Sequence, residues 1–206
     1  MRDFLAEVER VLPGTLRTEE TTPRLVPGSA TVVARAIALA NETRTRLSVP
    51  GSTPIEGRPC VAVDRLDGII SVDETSRVLH VQAGITLSAI EARARDHGWT
   101  LDVPTRWHSS QVGTWLADGA PGRRRKADDP VSQFVAGMEL VLPTGQEVTI
   151  RPAPRRAVGP DLVRAVIGAG GRLGVIVGVH CIAERAAARA RLAFSFPDAR
   201  KASRAL

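Results

Sequence analysis

Apolar residues follow two different rhythms along this chain, and the change comes near residue 68. Before that point helical spacing prevails. Phe4, Leu5, Val8, Val11 and Leu12 recur at three- and four-residue intervals, which predicts an amphipathic helix over residues 1–12 closed by Pro13-Gly14. The polar stretch that follows, to about Pro23, reads as a linker. Ser29 then stands as an N-cap before Val32, Val33, Ala36, Ile37 and Ala40, predicting a second helix that ends near Asn41. Residues 46–49 and 60–63 are short runs of strand type. The first part of the chain is thus expected to be strand, loop and strand with a helix in front.

From Gly68 onward the pattern alternates. Residues 68–73 and 77–84 predict two strands around a turn at 74–76, with one face buried. Thr86 is placed to cap a helix running to His97, and Gly98 supplies its stop. Another helix is expected from Ser110 or Gln111 through Trp115 toward Gly119. Residues 138–142 and 146–150 flank Pro143-Thr144-Gly145 and predict a hairpin. Gly159-Pro160-Asp161 opens a helix through Ile167, and residues 174–182 form a long apolar strand. The sum is a mixed α+β fold, with no βαβ unit long enough for a doubly wound sheet.

Composition narrows the picture. With 206 residues, 43% hydrophobic and 24% charged, the chain can build one sizeable core or two small packed lobes. Cys60 and Cys181 are too few for a disulfide framework, and no spacing of metal-ligand type is present, so a reducing, cytoplasmic setting is expected. The N-terminus is charged and lacks the apolar core of a leader, and no apolar run is long enough to span a membrane. The net charge of +6 suggests nucleic acid, but all but two of the 28 basic residues are arginines scattered through every segment. The one dense run, Arg123-Arg124-Arg125-Lys126, is followed at once by Asp128-Asp129. Aromatics make up 3% and tyrosine is absent, which removes the stacking platforms of a single-strand binder and the phenol of a catalytic acid. No nucleic-acid partner is expected. His80 and His180 alternate with apolar neighbours and read as structural residues; His97 reads as a helix end.

Three loops hold the informative chemistry. Val49-Pro50-Gly51-Ser52-Thr53-Pro54 follows a strand; its glycine frees the backbone and its hydroxyls offer donors to a pyrophosphate. Residues 109–122 place Ser, Thr and Gly around a helix start, where free N–H groups attract an anion. Residues 167–176 contain Gly168-Ala169-Gly170-Gly171 and Gly174 between a helix and a strand. A P-loop lysine is missing, and the glycines follow a helix instead of preceding one, which excludes a Rossmann unit.

In order and content these segments resemble the FAD-linked oxidase N-terminal domain, the FAD-binding domain of the vanillyl-alcohol-oxidase and p-cresol-methylhydroxylase (PCMH) type. The resemblance runs over residues 22–186. Besides the three loops it includes Val61-Ala62-Val63-Asp64-Arg65-Leu66-Asp67-Gly68-Ile69, the segment from Val78 to Leu87 with Ala83-Gly84 at its centre, and Gly159-Pro160-Asp161-Leu162. Details around Ser110, Arg124 and Pro143 are most similar to the alkylglycerone-phosphate synthase branch, with glycolate oxidase and D-lactate dehydrogenase subunits close behind. The resemblance implies a two-lobed fold with FAD lying between the lobes, divided at about 22–64 and 65–186, after an N-terminal helix and linker at 1–21. Residues 187–206 would open a substrate-binding cap too short to be complete, so a second subunit or a homo-oligomer is implied as its source.

Site residues follow from the same match. Pro50, Gly51, Ser52 and Thr53 would meet the pyrophosphate. His108, Ser109, Ser110, Val112, Gly113 and Thr114, with Ala117, Gly119 and Ala120, would run along the ribityl chain and ring. Gly170, Gly171, Leu173, Gly174, Val175 and Ile176 would contact the adenosine side. The first loop is shorter than the family's Arg-Gly-Gly-Gly-Thr-Ser form, and Thr114 stands where a second glycine usually follows Gly113. Neither a histidine in the first loop nor a cysteine in the second is present, which implies noncovalent flavin. The expected function is the FAD-binding part of an oxidoreductase acting on a hydroxy acid or alcohol. The alternative is a flavin-poor scaffold that binds a partner through apolar residues such as Leu192, Phe194 and Phe196.

Overall fold

The computed structural model describes residues 1–19, 22–53, 55–122, 134–153, 161–187 and 195–198, together with Arg200 and Ser203. Arg123–Lys126, Gly159, Pro160, Leu192 and Phe194 lie outside the described residues.

Two lobes share one long helix. In the first, α1 (Arg2–Val11) turns Phe4 and Val8 inward, where both are fully buried with Leu12 against Leu25, Ala36 and Leu39. The expected linker after it is a pair of strands, β1 (Leu16–Glu19) and β2 (Thr22–Leu25), which run antiparallel. The polar residues of this pair hide it from an apolar-periodicity reading; Thr22, Pro23 and Arg24 are half-buried, and Leu25 is fully buried. After α2 (Ala30–Glu42), capped as expected by the Ser29 hydroxyl accepting from the Val32 N–H, the chain reaches β3 (Cys60–Val61), parallel to β2. Residues 46–49 contribute a single bridge from Ser48 to Cys60 rather than a full strand.

The second lobe is built on an antiparallel sheet of order β4-β5-β9-β7-β8. Its strands are β4 (Ile69–Asp73), β5 (Val78–Gln82), β7 (Val135–Val141), β8 (Glu147–Ile150) and β9 (Val175–Ile182). Between them lie α3 (Leu87–Asp96), the short β6 (Trp99–Thr100), a 3-10 turn (Thr105–Trp107), α4 (Val112–Ala117) and α5 (Leu162–Val166). β6 pairs with β10 (Glu184–Arg185). Leu79, Val81, Met138, Leu140, Val179 and Cys181 point from one sheet face into a core completed by Leu87, Ile90, Val112, Trp115 and Val163 of the three helices. At one end of the opposite face Val141, Val175 and Val177 pack on Val33, Ala34 and Ile37 of α2. α2 therefore serves both lobes, with Ala36, Leu39 and Ala40 facing α1 and β2. Burial on both faces explains why β7 and β9 read as continuous apolar runs instead of alternating ones.

Candidate functional site

The three small-residue loops meet at the boundary of the lobes. The first folds back on itself: the Ser52 N–H and hydroxyl both donate to the Val49 carbonyl, at 2.9 and 2.7 Å, while the hydroxyl accepts from the Val49 N–H at 2.9 Å. That hydroxyl, expected to face a phosphate, closes the loop instead. Gly51 has φ +84°, and a Cβ there would lie 2.4 Å from the Ala117 Cβ, so both the backbone and the contact require glycine. The third loop presses on the other side. A Cβ at Gly171, φ +72°, would stand 2.5 Å from Val49 Cγ2 and 2.8 Å from the Pro50 carbonyl oxygen. Gly168 and Gly170 donate to the carbonyls of Leu116 and Ala117, each at 3.0 Å, tying the third loop to the end of α4. Gly119 faces the backbone of Gly168 across the same seam.

Beside this junction opens a cleft of about 1000 Å³, lined by Val49, Pro50, Gly51 and Ser52, by Thr22 and Arg24 of β2, by residues 60–64, and by Gln111 and Thr114 at the start of α4. Arg58 and Glu56 complete its rim. The Asp64 carboxylate, which would oppose an anion, is occupied: Arg24 pairs with one oxygen, and Gln111 Nε2 donates to the other at 2.8 Å. Its neutralisation leaves Arg58 and the loop backbone to meet negative charge. A second recess of about 410 Å³ lies across the first loop, between Gly170, Gly171, Gly174 and Val175 on one side and Asn41, Arg46 and Leu47 on the other. Val49, Ser52 and Arg58 border both spaces. The two spaces flank the glycine-built first loop, with Arg24 and Arg58 in the lining of the larger and Arg46 and Arg58 in that of the smaller.

The predicted residues separate into groups here. Pro50, Gly51, Ser52 and Thr114 line the larger cleft, and Gly170, Gly171, Gly174 and Val175 the smaller one. Thr53 and Leu173 are exposed, whereas Ile176 is buried in the core. Ala117 backs Gly51, and Ala120, buried and at φ +52°, donates its N–H to the Trp115 carbonyl at 2.8 Å. The free amides expected at the helix start are not free: Val112 and Gly113 donate to the Ile85 and Ala83 carbonyls at 2.9 and 2.8 Å, and Val112 is fully buried. These bonds anchor α4 to the turn after β5 and hold Thr114 at the cleft. His108 and Ser110 join the neighbouring α3 instead, their carbonyls accepting from the Ser88 and Leu87 N–H groups, while His108 Nε2 lies 3.2 Å from the Val103 carbonyl oxygen. Ser109 is exposed. None of the three lines either space.

Arg24, Arg58 and the link from Asp64 to Gln111 were missed as site residues. Arg24 stands just past the supposed linker, and Arg58 in a turn without a motif. Asp64 and Gln111 stand inside matched segments, but only the fold reveals that they touch.

Comparison with known proteins agrees with the geometry. The family model described as FAD binding domain matches residues 24–151. An uncharacterized FAD-linked oxidoreductase of Mycobacterium tuberculosis is 30% identical over 164 residues, covering 74% of this chain and 35% of the relative. The mitochondrial D-2-hydroxyglutarate dehydrogenase of Bos taurus is 29% identical over 208 residues, covering 87% of this chain and 38% of that protein. A solved alkyldihydroxyacetonephosphate synthase superposes with a TM-score of 0.74 at 19% identity, over 90% of this chain and 44% of its own, which establishes the PCMH-type two-lobed fold. The chain spans about a third of the length of the curated relatives it matches. Among the described residues no helix is long and apolar enough to cross a membrane. The chain belongs to the FAD-binding domain family of the FAD-linked oxidoreductases.

Proposed function

We propose that this chain holds FAD noncovalently at the junction of its lobes and forms the flavin-binding part of an oxidoreductase acting on a hydroxy acid or alcohol. The observation that carries the reading is the convergence of the three loops, in which Gly51 and Gly171 admit backbone where any side chain would collide. The glycine backbone at Gly51 and the Arg58 guanidinium receive the diphosphate, the recess at Gly170, Gly171 and Gly174 receives the adenosine side, and the larger cleft past Gln111 and Thr114 receives the ribityl chain. Thr114 replaces a family glycine, yet its hydroxyl turns back to Gln111 Oε1 at 3.4 Å, which keeps the oxygen engaged beside the cleft. When bound, FAD supplies the acceptor for a hydride equivalent. The protein's own part is to bind, orient and neutralise.

The substrate class is supported by the D-2-hydroxyglutarate dehydrogenase relatives, which are named for a 2-hydroxy acid. Because the matched region is a minor part of those proteins, substrate-contacting groups are expected from outside residues 1–206, either on the same polypeptide or on a partner. We take residues 22–186 as the flavin-binding unit, with lobes at about 22–64 and 65–186, and residues 187–206 as the start of a substrate-binding cap; α1 adds its apolar face to the first lobe. A reducing, cytoplasmic location accords with a chain whose two cysteines, Cys60 and Cys181, are not joined in a disulfide. Noncovalent attachment is supported by the absence of histidine from residues 49–53 and of cysteine from residues 109–122. Titration of flavin-depleted protein with FAD, followed by flavin fluorescence, tests the reading: saturable one-to-one binding with a rise in Tm is expected, and acid precipitation should leave all the flavin in solution. A protein whose Tm does not respond to excess FAD would instead be the scaffold.

A further inference from the structure

The face of the five-stranded sheet turned away from α3 and α4 bears a second constellation, independent of the flavin reading. Strand alternation sends His80 of β5, His180 of β9 and Glu139 of β7 to this face, because Leu79, Val81, Met138, Leu140, Val179 and Cys181 take the core side. Pairing then brings them together from three adjacent strands. His80 stands directly opposite His180, and their rings stack with centroids 3.9 Å apart. Glu139 is paired with Gly178, one diagonal step from His180. Its Oε1 lies 2.9 Å from His80 Nε2, but out of hydrogen-bonding line, so that buried nitrogen has no hydrogen-bond partner.

Room for this cluster is made by two glycines in the same rows. A Cβ at Gly178 would stand 2.2 Å from Glu139 Oε2, and one at Gly137 would stand 3.0 Å from His180 Cδ2 and 2.7 Å from the Ile150 carbonyl oxygen. One potential ligand atom from each of the three side chains falls within 4.8 Å of the others. A groove of about 810 Å³ runs past both histidines, with Ser71, Asp73, Ala153 and Glu184 also along it. It shares no lining residue with the flavin cleft.

We propose that His80, Glu139 and His180 bind one divalent transition-metal ion, Zn²⁺ by preference, with its remaining coordination positions open to this groove. Two imidazoles and a carboxylate are the donor set that borderline divalent ions select, and three protein ligands with one position left over is the pattern of a zinc site open to water or a ligand. Hard ions such as Mg²⁺ and Ca²⁺ favour all-oxygen sites and are disfavoured here.

Zn²⁺ titration of the metal-stripped, tag-free chain by calorimetry is the test. One equivalent should bind with micromolar or tighter affinity, and Tm should rise by roughly 5 °C or more at hundredfold excess over Kd. Glu139→Gln and His180→Ala should each weaken binding at least tenfold, whereas His97→Ala should leave it unchanged. Should either variant misfold, the wild-type chain still decides: Zn²⁺ must shift the ring-nitrogen resonances of His80 and His180 and spare those of His97 and His108. No binding below about 100 μM, or shifts confined to His97 or His108, would overturn the proposal.

Discussion

The flavin cleft, beside the three-stranded sheet, and the histidine groove, on the five-stranded one, belong to one fold, yet they are built from opposite materials. The cleft is made of backbone: Gly51, Gly170 and Gly171 bring three loops within contact of each other, and polar side chains such as Asp64 and Ser52 are occupied in holding the loops in place. The groove is made of side chains: His80, Glu139 and His180 project from regular strands, and the glycines beside them serve only to leave room. A ligand held by backbone depends on close approach and tolerates little added volume. One held by side chains depends on which three residues the strand pairing juxtaposes, and is lost by changing any of them.

The sharpest way to break the contrast is Gly51→Val. Its side chain would meet Ala117 and its backbone would be forced into the left-handed region, so a loss of about 3 kcal/mol in stability is expected. FAD affinity should fall by roughly a hundredfold, about 2.7 kcal/mol. Thermal melts and FAD titration measure both, and Zn²⁺ binding by the folded fraction should persist. The mirror experiment is Gly178→Ala. The added methyl displaces the Glu139 carboxylate, costing about 1 kcal/mol of stability and at least tenfold in Zn²⁺ affinity while FAD binding stays within about twofold. A parallel loss of flavin binding would mean that the two sites are coupled through β9.

Smaller changes sharpen the electrostatic side. Arg58→Ala removes a guanidinium bordering both flavin spaces, and FAD affinity should drop by about tenfold, with a flatter dependence on ionic strength. Salt titration of FAD binding in both proteins checks this. The smallest effect is expected from Ser29→Ala, which deletes the cap of α2 far from either ligand and should cost about 1 kcal/mol in chemical denaturation without altering FAD or Zn²⁺ affinity.

The same contrast explains what was legible in the sequence. Backbone-built sites leave contiguous signatures, so the three glycine loops, the Ser29 and Thr86 caps and the hairpin around Gly145 could all be read from neighbouring residues. The family resemblance gave the two-lobed architecture for the same reason. Ligands assembled by pairing leave none: residues 80, 139 and 180 become neighbours only through the register of β5, β9 and β7. The polar residues of β1 and β2 carry little apolar period, so up to about Pro23 they read as a linker, and Arg24, the next residue, carries no signal of a site. The amides of Val112 and Gly113 were expected to face a ligand, since nothing local reveals that the carbonyls of Ile85 and Ala83 reach them first.

The claim that the loop junction is a working flavin site is tested most directly by adding FAD to the flavin-depleted chain and recording its visible spectrum and fluorescence after gel filtration. The account predicts one FAD retained per chain, with altered absorption bands and a raised Tm, and loss of both in Gly51→Val. A chain that elutes colourless from excess FAD with its Tm unmoved would contradict it.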